Sequence, residues 1–495
     1  MKGPRKPRIK GLETEYSIKS KKFRNERNKI KLPILNNPEK MVDGFLPNGA
    51  RYYVDSTKYP EFATPECLSV KDVVIFDKAG ERILLNDFSQ FCRSIQKANY
   101  GIGQEGFFNL KAGTRGCHEN YLIDERLMTT PRDNSSILAL IPFLVSRQIL
   151  AGRGGLALTD DGKIIPVISK RVFAIYDLIS DATAANRAII CTARKNESFS
   201  QSGYRLHLIL GDSNLSEYST FLKIGTADLM LTLLENNFLP HLQVDDPLTA
   251  LRWISFDTKF KKTYGVTKPS GERKKFSALD FQFWHLNLAQ KFFETRAEPT
   301  EEEKFILNLW QETLDGLKRD PMSLSDRLDY LIVLRLFEEA KNILGSSLND
   351  EQLKQIDFNY SELLPEKNWY LKQVKTGNIK RLSTDEEIDR AIDNPPNNTR
   401  AKLRGELIKM ILKEKIGEFF IINWDIIQFT ALQQVWSVIR QIILTSNDYD
   451  HLQTLYLKDP YQTESSTYNA FKNMIAMVAD KLRTMPKEEK KKIIE

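Results

Sequence analysis

The order of patterns along the chain predicts an α+β fold, with one curved antiparallel sheet covered by helices. Two observations carry this. Alternating, strand-like segments come early, at 8–18, 48–55, 117–123 and 204–212. Long helical patterns fall between and after them, at 72–95, 133–151, 220–236, 274–294, 300–318 and 323–344. The chain has 495 residues, too many for one simple core. A large domain over 1–410 and a small C-terminal domain over 411–495 are expected.

The elements follow in order. Residues 8–18, RIKGLETEYSI, alternate and place two glutamates on one strand face. Residues 20–44, rich in Lys and Asn, read as a loop. NGARYYVD at 48–55 opens on Asn-Gly, a turn signal, and runs on in Tyr and Val as a second strand. CHENYLI at 117–123 and YRLHLILGD at 204–212 supply two more. The glycines of GRGG at 152–155 follow a helical stretch, which favours a helix C-cap over a phosphate cradle. DNPPNNTRAKLRGE at 393–406 marks a boundary or a functional loop. Beyond it, FFIINWDIIQF at 419–429 reads as one strand, followed by a short helix and an amphipathic helix over 464–482.

Composition excludes several classes. Apolar residues make up 41% and charged residues 28%, ordinary values for a globular protein. No apolar run reaches membrane-spanning length, and no apolar stretch follows the basic N-terminus, so neither a membrane anchor nor a secretory signal is expected. Cys67, Cys92, Cys117 and Cys191 stand far apart, which argues for a reducing cytoplasm and against a zinc ribbon. Residues 1–40 hold thirteen Lys or Arg against four Glu. A solvated arm is preferred there over a docking surface, since charge runs are usually solvated. No nucleic-acid-binding motif accompanies the charge.

The chemistry is concentrated in Glu13-Thr14-Glu15. On a strand these carboxylates lie roughly 6–7 Å apart on one face. Repulsion between them is relieved by a cation, and paired hard oxygens suit Mg²⁺. A lone pair of this kind is more often a solvated face, but it has company. Asp55, Glu61 and Glu66 cluster in VDSTKYPEFATPE, His118 and Glu119 adjoin in CHEN, and His207 interrupts the apolar run RLHLIL. The motifs GxxxxGK[ST], GxGxxG, HExxH and GxSxG are absent, so a nucleotide would be held through metal and arginine. Arg51, Arg194, Arg205, Arg400 and Arg404 are the candidates.

At this point the motifs resemble those of the Pup ligase and depupylase family, whose members handle a bacterial ubiquitin-like protein. The resemblance runs through GLETEYSI, FLPNGARYYVD, PEFATPEC, DKAGE, GCHENYLI, FLVSRQIL, YRLHLILGDSNLSE, FLKIGT, TDEEIDRAIDNPPNNTRAKLRGE and LKDPY, over about residues 8 to 475. It implies a large domain akin to glutamine synthetase with a small C-terminal domain. It also implies an enzyme using ATP and Mg²⁺ to phosphorylate a glutamate carboxylate of a small acidic Pup-like protein, which a substrate lysine then attacks. By resemblance Glu13, Glu15, Tyr53, Glu61 and His207 belong to the metal site, and Asp55 is the base that takes the lysine proton. Arg194 and Arg205 would neutralise the phosphoryl charge, while Arg51, His118, Arg404 and Trp424 would help hold the nucleotide.

The segment between the first strand and NGARYYVD is short, and PEFATPEC and GCHENY favour the ligase branch. Departures from the family pattern stand at FNLKAGTR (108–115), Arg194 to Ser198, Asp329-Tyr330 with Val333, and Tyr59-Pro60-Glu61. The expectation is therefore a cytoplasmic, monomeric, ATP-dependent carboxylate–amine ligase whose protein substrate has shifted. The alternatives are a diverged phosphotransferase or ATPase, a depupylase-type hydrolase, or a non-catalytic binding scaffold.

Overall fold

A computed structural model describes residues 5–20, 39–55, 59–97, 107–110, 116–128, 135–181, 187–192, 203–364, 367–430 and 454–486. Its centre is a seven-stranded sheet formed by β1 (Lys10–Glu15), β2 (Arg51–Val54), β3 (Pro60–Ala63), β4 (Cys117–Ile123), β5 (Asp177–Ser180), β6 (Ala188–Cys191) and β7 (Tyr204–Leu208). The order across the sheet is β2-β3-β1-β4-β7-β6-β5.

Every neighbouring pair is antiparallel except β5 and β6, which run parallel. The expected all-antiparallel sheet is thus mixed at one edge. The sequence hides this pair because β6, Ala-Ile-Ile-Cys, is buried at every position and shows no two-residue period.

Alternation governs the strands that matter most. In β1, Lys10, Leu12 and Thr14 are buried, while Gly11, Glu13 and Glu15 turn to the other face. The inner face packs on helix α1 (Val70–Lys97), where Thr14 donates to Asp77 at 3.0 Å and Val73, Val74 and Phe76 join the main core. Helix Glu217–Glu235 lies in the same core, its first turn capped by Ser216.

Elsewhere packing redraws the expected boundaries. The helix expected over 133–151 is three short helices, at 135–138, 141–146 and 148–151, with Pro142 opening the second. The pattern starting at 274 is a strand, Arg273–Phe276, followed by helix Ala278–Thr295 with a Ser277–Asp280 capping box. The apolar run 419–429 is a hairpin of Phe420–Asn423 and Ile426–Phe429, turning at Trp424 and Asp425. The short helix expected after it lies outside the described residues, as does most of the 20–44 loop.

A second core gathers helix α2 (Ala401–Glu414), this hairpin and the last helix (Tyr468–Thr484) with Val42 and Phe45. The boundary expected at 410/411 falls inside α2. Cys67, Cys117 and Cys191 are buried, and none forms a disulfide among the described residues. Among the described residues no helix is long and apolar enough to cross a membrane.

Candidate active site

The outward face of β1 and its neighbours collects the predicted residues. Register sets Glu13 beside His118, Glu15 beside Glu61, and Glu61 beside Tyr53. His207 pairs with Asn120, two residues from His118, so both histidines share the face. Arg51, two residues before Tyr53, also points there, its guanidinium carbon 4.8 Å from the Tyr53 ring centroid.

Glu13 is the hub. Its carboxylate accepts from Arg205 Nη2 at 2.6 Å, and Oε2 lies 3.5 Å from His118 Nδ1 and 3.4 Å from His207 Nε2. Burial alone would raise its pKa, but the charge of Arg205 and contacts from both imidazoles outweigh this and hold it well below the usual carboxylate range. Glu61 shows the opposite balance. Burial and the charges of Glu13, Glu15 and Asp55 push it well above that range, although Tyr53 donates to it. Four carboxylates crowd one small face, an arrangement that a cation relieves.

The ligand atoms form two groups. Atoms of Glu13, His118 and His207 lie within 4.8 Å of one another, and so do oxygens of Glu15, Asp55 and Glu61. The second group offers only hard oxygens, the donor set for Mg²⁺. In the first, both ring nitrogens of His207 are buried and neither makes a well-aligned hydrogen bond among the described residues, Nε2 facing only Glu13 Oε2 at 3.4 Å. Burial lowers the His207 pKa to about 4, so the ring is neutral at pH 7 and keeps a lone pair to offer. A neutral, buried imidazole facing a carboxylate without a well-aligned hydrogen bond fits a cation site.

Asp55 directly follows the β2 strand, and its Oδ1 accepts from the Tyr59 amide at 2.6 Å. An Asp55 carboxylate oxygen lies within 4.8 Å of oxygens of Glu15 and Glu61. His118, expected to help hold the nucleotide, stands in the first of these groups. Its Nε2 lies 3.4 Å from Arg171 Nη2 and 3.7 Å from Glu15 Oε1. Arg194 lies outside the described residues.

A cleft with about 460 Å³ of empty space, open to solvent, runs from Glu13 and Arg205 past Gly11 and Ala63 to Arg400 and Trp424. Trp424 reaches it from the C-terminal hairpin. Arg404 does not: its side chain is fully buried and bonded to Glu66, Gly49 O and Trp424 O. Arg404, expected to help hold the nucleotide, is therefore enclosed and is not among the residues that line the cleft. Glu66, grouped in the sequence with Asp55 and Glu61, is the counter-ion of Arg400 and Arg404 and not part of the acidic face.

Three contributors escaped the sequence reading. Asn120 accepts from Arg205 Nε at 2.6 Å and holds that guanidinium against Glu13. Its signal was present, since it stands at i+2 from His118 on the same strand. Gly116 donates its amide to Glu15 Oε2 at 3.0 Å. Arg171, buried on a separate 3-10 turn, carries no local signal at all.

Comparison with known proteins adds the following. The sequence profile of a family described as Pup-ligase protein matches residues 19–428. The chain is 34% identical over 431 residues to the Pup–protein ligase of Acidimicrobium ferrooxidans, covering 85% of this chain and 87% of that one. It is 32% identical to the Pup–protein ligase of Kineococcus radiotolerans, covering 84% and 92%. Among solved structures, it is similar to the complex between prokaryotic ubiquitin-like protein Pup and its ligase PafA (TM-score 0.78, 26% identity, 97% and 94% coverage). It is also similar to PafA in complex with ADP (TM-score 0.73, 27% identity, 89% and 91% coverage).

Proposed function

We infer the function from a fixed premise: this chain belongs to the Pup-ligase protein family. It is an ATP-dependent ligase that phosphorylates a glutamate carboxylate of a Pup-like modifier and joins it to a lysine amine. The observation that carries this reading is one sheet face that groups Asp55 with Glu15 and Glu61 and, beside them, His118 and His207 with Glu13, which lines an open cleft. The ligase reading is preferred to depupylase-type hydrolysis because the relatives above are ligases.

The chemistry divides into two displacements. The modifier carboxylate takes the γ-phosphoryl group of ATP and ADP leaves. The lysine nitrogen then attacks the acyl carbon, the bond to phosphate breaks, and an isopeptide bond forms. Asp55 accepts the proton that the lysine must lose to act as a nucleophile. Arg205, fixed by Glu13 and Asn120 on the cleft wall, places positive charge where phosphate oxygens would lie. Trp424 and Arg51 are read as nucleotide contacts. Glu13, Glu15, Glu61 and His207, with Tyr53, are the side chains that would hold Mg²⁺, which when bound supplies positive charge to the phosphate oxygens. The small C-terminal domain is proposed to begin with α2, and the site of action is taken as the cytoplasm.

The test is incubation of the purified chain with ATP, Mg²⁺, a lysine-bearing protein and a Pup-like protein ending in glutamate. Covalent adducts and ADP release are followed together. Adducts are expected from the wild type, and Asp55→Ala is expected to form them about 10²–10⁴-fold more slowly. Undiminished adduct formation by Asp55→Ala would remove Asp55 from this role. Absence of ADP release from the wild type would remove the reaction itself.

A further inference from the structure

Arg404 sits where two parts of the molecule meet. Its guanidinium is wrapped from both sides: Nη1 donates to Trp424 O at 2.7 Å, and Nη2 donates to Gly49 O at 2.8 Å. The Glu66 carboxylate accepts from both terminal nitrogens and, at 2.7 Å, from Arg400 Nε. Arg400 in turn donates to Leu457 O at 3.0 Å. The planar guanidinium stands 5.0 Å from the Trp424 ring centroid and 5.3 Å from that of Phe45, and the two rings meet edge to face at 5.1 Å.

Gly49 makes the approach possible. It adopts φ +78, and a Cβ there would fall 3.0 Å from the Ala401 side chain. It lies two residues before Arg51 on the chain that continues as β2, which ends beside Asp55. One buried side chain therefore ties the start of the catalytic strand to the hairpin that carries Trp424. The planar five-donor fork reaches four oxygens in different directions, both of Glu66 with Gly49 O and Trp424 O; a lysine carries the charge on one nitrogen with three donors and not that geometry.

We propose that Arg404 is a positioning residue, clamped by Glu66, which fixes Trp424 against the start of β2 and so sets the shape of the nucleotide end of the cleft. This rests on the reading of the cleft as a nucleotide site. It gives Arg404 a role through Trp424 and not by contact with the ligand.

The experiment is a double-mutant cycle on ADP binding, read by calorimetry, with steady-state kinetics on the same proteins. The set is wild type, Arg404→Lys, Trp424→Ala and the pair combined. Arg404→Lys is expected to weaken ADP binding about tenfold (about 1.4 kcal/mol) and to raise KM for ATP while kcat changes by less than about threefold. In the Trp424→Ala background the same substitution is expected to have no further effect. Glu66→Gln is expected to act in the same direction and replaces Arg404→Lys in the cycle if that protein does not fold. Equal losses in both backgrounds, or no loss in either, would overturn the proposal while leaving the nucleotide site in place. Wild-type protein that does not bind ADP would overturn the nucleotide reading, and this inference with it.

Discussion

At the scale of single residues, the site depends on small side chains as much as on charged ones. A Cβ on Gly116 would come within 2.5 Å of His118 Nε2 and 3.0 Å of Arg171 Nη2. Gly116→Ala is therefore expected to push His118 away from Glu13 and Glu15. Displacement of that order costs about 10²-fold in rate, so kcat/KM should fall by about that factor while the melting temperature moves little. Glu13→Gln tests the hub. It removes the charge that Arg205, 9% exposed, faces at 2.6 Å. Leaving a buried guanidinium without its counter-charge costs about 1–3 kcal/mol. Denaturant unfolding should show this loss, and the Mg²⁺ concentration needed for half-maximal activity should rise.

Secondary-structure elements place these residues, and their ends are chemically marked. Strand β1 carries the site because its register with β3 and β4 leaves no freedom: a slip by one residue would bury Glu13 and Glu15 and expose Leu12 and Thr14. Helix Glu301–Arg319 begins with a reciprocal Thr300–Glu303 box and packs Ile306, Trp310 and Leu314 into the main core. It contributes no side chain to the site. Thr300→Ala should accordingly lower stability by about 1 kcal/mol, measured by urea unfolding, with kcat/KM unchanged. A larger loss of activity than of stability would show that this helix does more than support the core.

At the scale of the whole molecule, the buried Glu66–Arg400–Arg404 ion cluster is expected to shape acid stability. Burial alone would raise the Glu66 pKa, but the charges and hydrogen bonds of Arg404 and Arg400 bring it down to about 2. Its folded pKa is thus depressed below the ordinary value of 4.5. The unfolded chain binds the proton first, so the stabilisation is present above about pH 4.5 and is lost as pH falls toward 2. The linkage amounts to about 3 kcal/mol over that window. Glu66→Gln should flatten the pH dependence of stability between pH 5 and pH 2, as seen in unfolding curves at fixed temperature. Wild-type and variant curves of equal slope there would mean that other groups control the acid limb.

How much of this could be read from the chain itself depends on range. Local alternation disclosed β1, β2, β4 and β7 and grouped Glu13 with Glu15, because a two-residue period is written in consecutive letters. The helices at 217–235, 278–295 and 301–319 were legible as long helical stretches, each opened by Ser or Thr. The parallel edge strand β6 was not, since its burial on both faces erases the period. Nor was the break at Pro142 into three helices, or the turn at Trp424, since both depend on what packs around them. The motifs named Asp55 and Glu61 as partners of the glutamate pair; only strand order brought them to one face and carried Glu66, five residues further on, to the opposite end as a buried counter-ion. Arg171, Gly116 and the enclosure of Arg404 are wholly tertiary. The sequence determined the face-by-face chemistry of each strand, because side-chain alternation follows from backbone geometry alone. Which faces meet, and which charged groups lose water, was decided by long-range pairing and burial, which have no local signature.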